Sequence, residues 1–148
     1  MKQLALILSL FFLMSCNSQK TASENKVQED NNYTFVYNKS TRRTNVTVTV
    51  TEKETIISNK SAGTLTETAT MPQTWKTLTS LIKEVDLQGM SMLEAPTKKH
   101  YSDQLPAAYL SVTYKGHSYN SVQFDHGYPP AEIASVVNEM VSLTETNK

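Results

Sequence analysis

Residues 46–51 read VTVTVT, three valines alternating without a break with three threonines. Only a strand has a side-chain period of two, so Val46, Val48 and Val50 share one face and Thr47, Thr49 and Thr51 the other. The valine face must be covered and the threonine face suits water, which makes this a half-buried strand of an antiparallel sheet. Upstream, Tyr33, Phe35 and Tyr37 alternate with Thr34 and Val36, and the polar run Asn38 to Arg43 supplies a turn. Downstream, Thr55-Ile56-Ile57 and Thr64 to Thr70 read as further strand, interrupted by Asn59, Lys60, Ser61 and Gly63. Thirteen of the chain's nineteen threonines fall between residues 41 and 79. Threonine is at home on an exposed strand face, so this density reflects the sheet rather than a dedicated binding surface.

The period then changes. Pro72 fits the first turn of a helix, where its missing N–H costs nothing. Trp75, Leu78, Leu81, Ile82 and Val85 follow at helical spacing, and Gly89 offers a stop. Residues 90–106 form a long irregular link that Met90, Met92 and Leu93 can pin to the core. A hairpin comes next, with Ala108, Leu110, Val112 and Tyr114 on one face and Val122 and Phe124 on the partner strand. Placing Leu110 opposite Val122 calls for a three-residue loop Lys115-Gly116-His117, or a two-residue Lys-Gly turn with a bulge beyond it. Tyr109, Ser111 and Thr113 then share the outer face with Tyr119, Ser121 and Gln123. Pro129-Pro130 opens a last helix whose apolar face is Ile133, Val136, Val137, Met140 and Val141, and residues 144–148 are expected to fray. Strands, helix, hairpin, helix argue an α+β fold: a small antiparallel sheet of four or five strands with both helices on one face, in a single domain over residues 33–143.

The amino terminus carries a different kind of signal. Lys2, an apolar run from Leu4 to Met14, and then Ser15-Cys16 give the order of a secretory signal peptide. The run is too short to span a bilayer, which takes about 20 apolar residues. A cysteine directly after the small residue makes the segment resemble a bacterial lipoprotein signal. The resemblance implies removal of residues 1–15 and acylation of Cys16 on its sulfur and amino group, with the membrane as partner through that anchor. Two or more acyl chains hold a protein stably, where one does so only marginally. Residues 16–32 are then the lipidated cysteine and a polar tether, NSQKTASENKVQEDNN after the cysteine, whose sixteen residues reach roughly 20 Å if flexible. Asn17 after the cysteine is similar to proteobacterial lipoproteins sorted to the outer membrane. Gln19-Lys20 with Glu24, Glu29 and Asp30 resembles the surface-export signals of Bacteroidota lipoproteins, although the acids lie further along. The expected address is the cell envelope.

Composition narrows the function. Fourteen basic and fourteen acidic residues give a formal charge of zero, or −1 once Lys2 is removed, and no nucleic-acid partner is expected without a net basic face. The only basic pairs, Arg42-Arg43 and Lys98-Lys99, read as ordinary loop solvation. One cysteine excludes an intrachain disulfide. There is no G-x-S-x-G elbow and no phosphate loop among four scattered glycines, so no enzyme activity and no cofactor are expected. His100, His117 and His126 lie on three loops. His117 sits roughly 25 Å from His126 along one strand, leaving only His100, Asp103, Asp125 and His126 able to converge, and their spacing matches no metal motif.

Binding remains. The segment Phe124 to Pro130, FDHGYPP, sets Tyr128 between a glycine turn and two prolines. Rigid aromatic loops are good recognition anchors. His100, Tyr101, Asp125, His126 and Tyr128 are therefore the candidate rim for an unidentified protein partner. The element order from residue 33 to 143 (strand pairs, a helix from near Trp75, a long loop, a glycine-turn hairpin, a final helix after proline) resembles emfourin-type inhibitors of metallopeptidases. That resemblance implies a peptidase inhibitor or immunity-type protein as an alternative, with no inhibitory residue to carry over. A carrier of a small apolar ligand between sheet and helices is the second alternative.

Overall fold

The VTVTVT stretch lies in the second strand of a four-strand meander: β1 (Tyr33–Ser40), β2 (Asn45–Val50), β3 (Glu54–Asn59) and β4 (Thr64–Ala69). The structure, a computed structural model, describes residues 32–145; Cys16, the leader and nearly all of the expected tether lie outside the described residues. Helix α1 (Pro72–Ile82) follows the meander, then two 3-10 turns, Met90–Met92 and Lys99–Ser102. Strands β5 (Ala107–Tyr114), β6 (His117–Asn120) and the two-residue β7 (Phe124–Asp125) precede a 3-10 turn and helix α2 (Ala134–Glu145). The sheet order is β4-β3-β2-β1-β5-β6 with β7 also paired to β5, antiparallel throughout. The α+β class holds, with seven strands instead of four or five.

Threonine has a second use in the meander. Thr41 Oγ1 accepts the N–H groups of Arg43 and Thr44, and Thr51 Oγ1 those of Lys53 and Glu54. Each turn is thus closed by the hydroxyl of its own first residue, the device that makes short polar side chains turn formers. Tight turns keep the alternation in step, and the register pairs Phe35 with Val50 and Tyr37 with Val48 on one side of β1, and with Val112 and Leu110 on the other. All six side chains are buried. Leu78 and Ile82 of α1 and Val136, Val137 and Met140 of α2 join the same core, and Trp75 meets Phe35 edge-on with ring centres 5.8 Å apart.

Four local expectations are corrected. Helix α1 ends at Ile82, because i→i+3 bonds from Glu84 N to Leu81 O (3.3 Å) and Val85 N to Ile82 O (3.1 Å) tighten its last turn. Gly89, with φ −80°, is no left-handed stop but leads into the first 3-10 turn. In that turn Met90 is buried while Met92 is 80 % exposed, so Met92 pins nothing. Helix α2 runs on through Thr144 and Glu145, which the expected domain end at 143 left out.

A further correction concerns Tyr119. Lys115 (φ 48°) and Gly116 (φ 78°) form a two-residue turn with both φ positive, the turn that matches hairpin twist. It pairs Val112 with Tyr119, which puts Tyr119 on the core side, partly buried. One residue is then taken up in a bulge, where Ser121 N and Oγ both bond Leu110, and pairing resumes at Ala108–Phe124. The bulge turns Phe124 fully inward and sets its neighbour Asp125 beside the sheet's edge loop.

Candidate functional site

Asp125 is the buried centre of the candidate rim. It follows Phe124 on β7, pairs with Ala107 of β5, and has no exposed surface. A carboxylate withdrawn from water must find donors, and the irregular link supplies four. Thr97 Oγ1 donates to Oδ2, as does Lys99 N at 2.8 Å; His100 N donates to Oδ1 at 2.7 Å and His100 Nδ1 to the same oxygen at 2.5 Å. Burial pushes the Asp125 carboxyl up, but these hydrogen bonds outweigh it and hold the group far below the usual carboxylate range. Residues 97–100 are wrapped around one side chain.

The wrapping sets the rest. The ionised carboxylate offers only lone pairs, so His100 Nδ1 carries a proton and Nε2 is the ring nitrogen that the loop leaves over. The His100 side chain is only 3 % exposed, and Nε2 has no hydrogen-bond partner among the described residues. The ring of Tyr101 lies against the imidazole, centroids 4.3 Å apart. The Lys99 ammonium stands 6.0 Å from the centre of the Tyr128 ring, within cation–π reach. Tyr101 is 74 % exposed and Tyr128 50 %.

Four of the five rim residues therefore come together, two buried beneath and two displayed. His126 does not join them. Its Nδ1 accepts from the Tyr37 hydroxyl at 2.7 Å, and it lines a separate depression with Lys39, Ile57, Thr66 and Val141. Burial pushes the Tyr37 hydroxyl well above the usual tyrosine value. Burial, and secondarily the charge of Lys39, lowers the His126 pKa, consistent with a neutral imidazole accepting from tyrosine.

Asp103 also leaves the expected set, forming an ion pair with Arg42 at 2.8 Å. Among the described residues no group of three or more His, Cys, Asp or Glu side chains converges on a point. Thr97 and Lys99 were not expected at the site. Thr97 was one polar residue of a long link, and the backbone N–H groups of Lys99 and His100 carry no residue signature at all. Comparison with protein-family models, with curated proteins and with solved structures gave no match. No helix among the described residues is long and apolar enough to cross a membrane.

Proposed function

We propose that the chain is a lipid-anchored envelope lipoprotein whose α+β domain is non-catalytic and binds another protein through the Tyr101–Tyr128 edge. The observation that carries this reading is two exposed tyrosines, Tyr101 on the loop fixed by the buried Asp125 carboxylate and Tyr128 in the turn that follows Asp125. Ordering a loop before binding removes a cost that binding must otherwise meet, and tyrosine is among the side chains that most often dominate an interface. The His100–Asp125 pair has the form of a general base with its orienting carboxylate. Its Nε2 is buried, however, and the surface displayed above it is the two tyrosines, which is why the reading is binding. The tether sets the start of β1 within roughly 20 Å of the membrane surface, and the rim lies at the other end of that strand, beside Ser40, where it faces partners away from the anchor.

The test is crosslinking in cells with a carboxy-terminal tag, comparing the wild type with Cys16→Ser and with Tyr101→Ala/Tyr128→Ala, and an intact mass of the mature chain. A dominant crosslinked partner depleted about tenfold or more by the double substitution supports the rim. Equal recovery with both tyrosines removed refutes it. A mature mass without acyl chains refutes the anchor separately.

A further inference from the structure

The chain's two basic pairs lie more than fifty positions apart in sequence, yet the fold ties the turn that carries one to the loop that carries the other. Arg42 and Arg43 occupy the β1–β2 turn, Lys98 and Lys99 the loop bound by Asp125, and the Arg42–Asp103 ion pair ties turn to loop. Between them lies a cleft of 470 Å³, lined by Ser40, Thr41, Arg42, Arg43, His100 and Leu105 with Asp103 and Ala107. Of the charges here, Asp103 is matched by Arg42 and Asp125 is buried under four donors, whereas Arg43 has no ion pair among the described residues. His100 is the one buried residue of the lining, and its Nε2 has no hydrogen-bond partner among the described residues. A buried polar atom left unpaired calls for an explanation.

We infer that this cleft receives an acidic side chain, a glutamate or aspartate within an extended peptide segment of the partner. The inference rests on the protein-binding reading of the adjoining tyrosine rim and names the chemistry of what that rim meets. The carboxylate pairs with Arg43, whose planar fork suits it. A polar group next to it answers the unpaired imidazole nitrogen, and Leu105 and Ala107 meet its methylenes. The Tyr101 ring lies against the same imidazole. A flat anionic membrane surface answers the cations equally well, but it has nothing to place in a cleft with a buried, unpartnered polar atom in its lining.

The test uses the full-length chain in neutral detergent and two probes, acetyl-Gly-Glu-Ser-Gly-amide and the same peptide with glutamine for glutamate. Amide shifts are followed by NMR, and vesicles of phosphatidylglycerol and of phosphatidylcholine are tested by flotation. The glutamate peptide is expected to shift Arg43, His100 and Leu105, with the glutamine peptide and the Arg43→Gln variant each about tenfold weaker. Raising the salt should weaken binding further. Leu105→Trp, which fills the cleft and leaves all cations in place, should abolish the shifts. Equal binding of both peptides, or an unchanged response in Arg43→Gln, overturns the proposal. Flotation with anionic vesicles while neither peptide binds also overturns it and assigns the patch to the membrane. If Tyr101→Ala/Tyr128→Ala loses its crosslinked partner while neither peptide binds, the rim stands and the acidic occupant falls.

Discussion

Strand β4 and the loop around Asp125 are both largely polar six-residue stretches, TLTETA and TKKHYS, and end in opposite states. β4 is regular, hydrogen-bonded to β3 along its whole length, and exposed at all six positions. The stretch Thr97–Ser102 is irregular, lies in no sheet, and contributes a buried histidine held on a buried carboxylate. Regular hydrogen bonding thus says little about where water is excluded here. In β4 the threonine hydroxyls face solvent, and the order of the strand depends on no single side chain. In the loop four donors converge on Asp125, so its order depends heavily on one.

The comparison breaks most visibly at Asp125→Asn. The substitution removes the charge and turns one acceptor into a donor facing donors already there. Whichever oxygen is replaced, two donors lose their acceptor in a site closed to water, either the Thr97 hydroxyl and Lys99 amide on Oδ2 or the His100 amide and imidazole on Oδ1, a large penalty for each. The expected result is a melting temperature lower by about 10 °C or more, with fast hydrogen exchange at Lys99 and His100. Acid should act in the same direction. The folded carboxyl titrates far below its unfolded value of about 4. Its contribution is therefore complete above that unfolded value and is lost as the pH falls below it toward the folded value. Asp125→Asn should flatten this part of the acid limb. If the variant keeps both the wild-type midpoint and the wild-type acid limb, the loop is ordered by something other than the carboxylate.

A smaller effect is expected at Tyr37→Phe, at the other end of the rim segment. The ring stays buried and only the bond to His126 Nδ1 is lost, at a cost of about 1 kcal/mol by chemical denaturation. The folded pKa of His126 lies below its unfolded value. Its share of stability is thus present above the ordinary histidine range and lost as the pH falls through it, and His126→Gln should remove that dependence. A Tyr37→Phe variant as stable as the wild type would mean that the hydroxyl is satisfied equally well by water.

The difference between the two regions also explains what the sequence could reveal. Alternation located β1, β2 and β5 because Phe35, Tyr37, Val48, Val50, Leu110 and Val112 are buried on every second residue. Helical spacing located α1 and α2 for the same reason. The site was legible only as a list of candidates. His100, Tyr101, Asp125 and Tyr128 stood out as residue types, but the contacts that join them are made by backbone N–H groups twenty-five residues from Asp125 and more. Tyr119 was placed on the wrong face because one bulge residue reverses the parity of everything between it and the turn. His126 was grouped with Asp125, its neighbour in sequence, although adjacent residues in an extended segment point to opposite sides.

The least effect is expected on β4, and there a null result carries information. Leu65 is 67 % exposed on the face away from the helices, and Thr66 faces the depression beside α2. Leu65→Ser and Thr66→Ser should each change stability by no more than about 0.5 kcal/mol, since neither removes a buried contact. Val48→Ala, two strands away in the same sheet, leaves a cavity in a filled core and should cost several times more. The contrast tests whether burial, and not strand geometry, sets the energetic weight of a position in this sheet. A costly Leu65→Ser would mean that β4 is covered in solution. Another chain laid along that edge would do so, since the backbone groups facing away from β3 have no neighbouring strand among the described residues. Concentration dependence of the melting temperature would separate a second copy from a strand that is intrinsically more sensitive than its exposure implies.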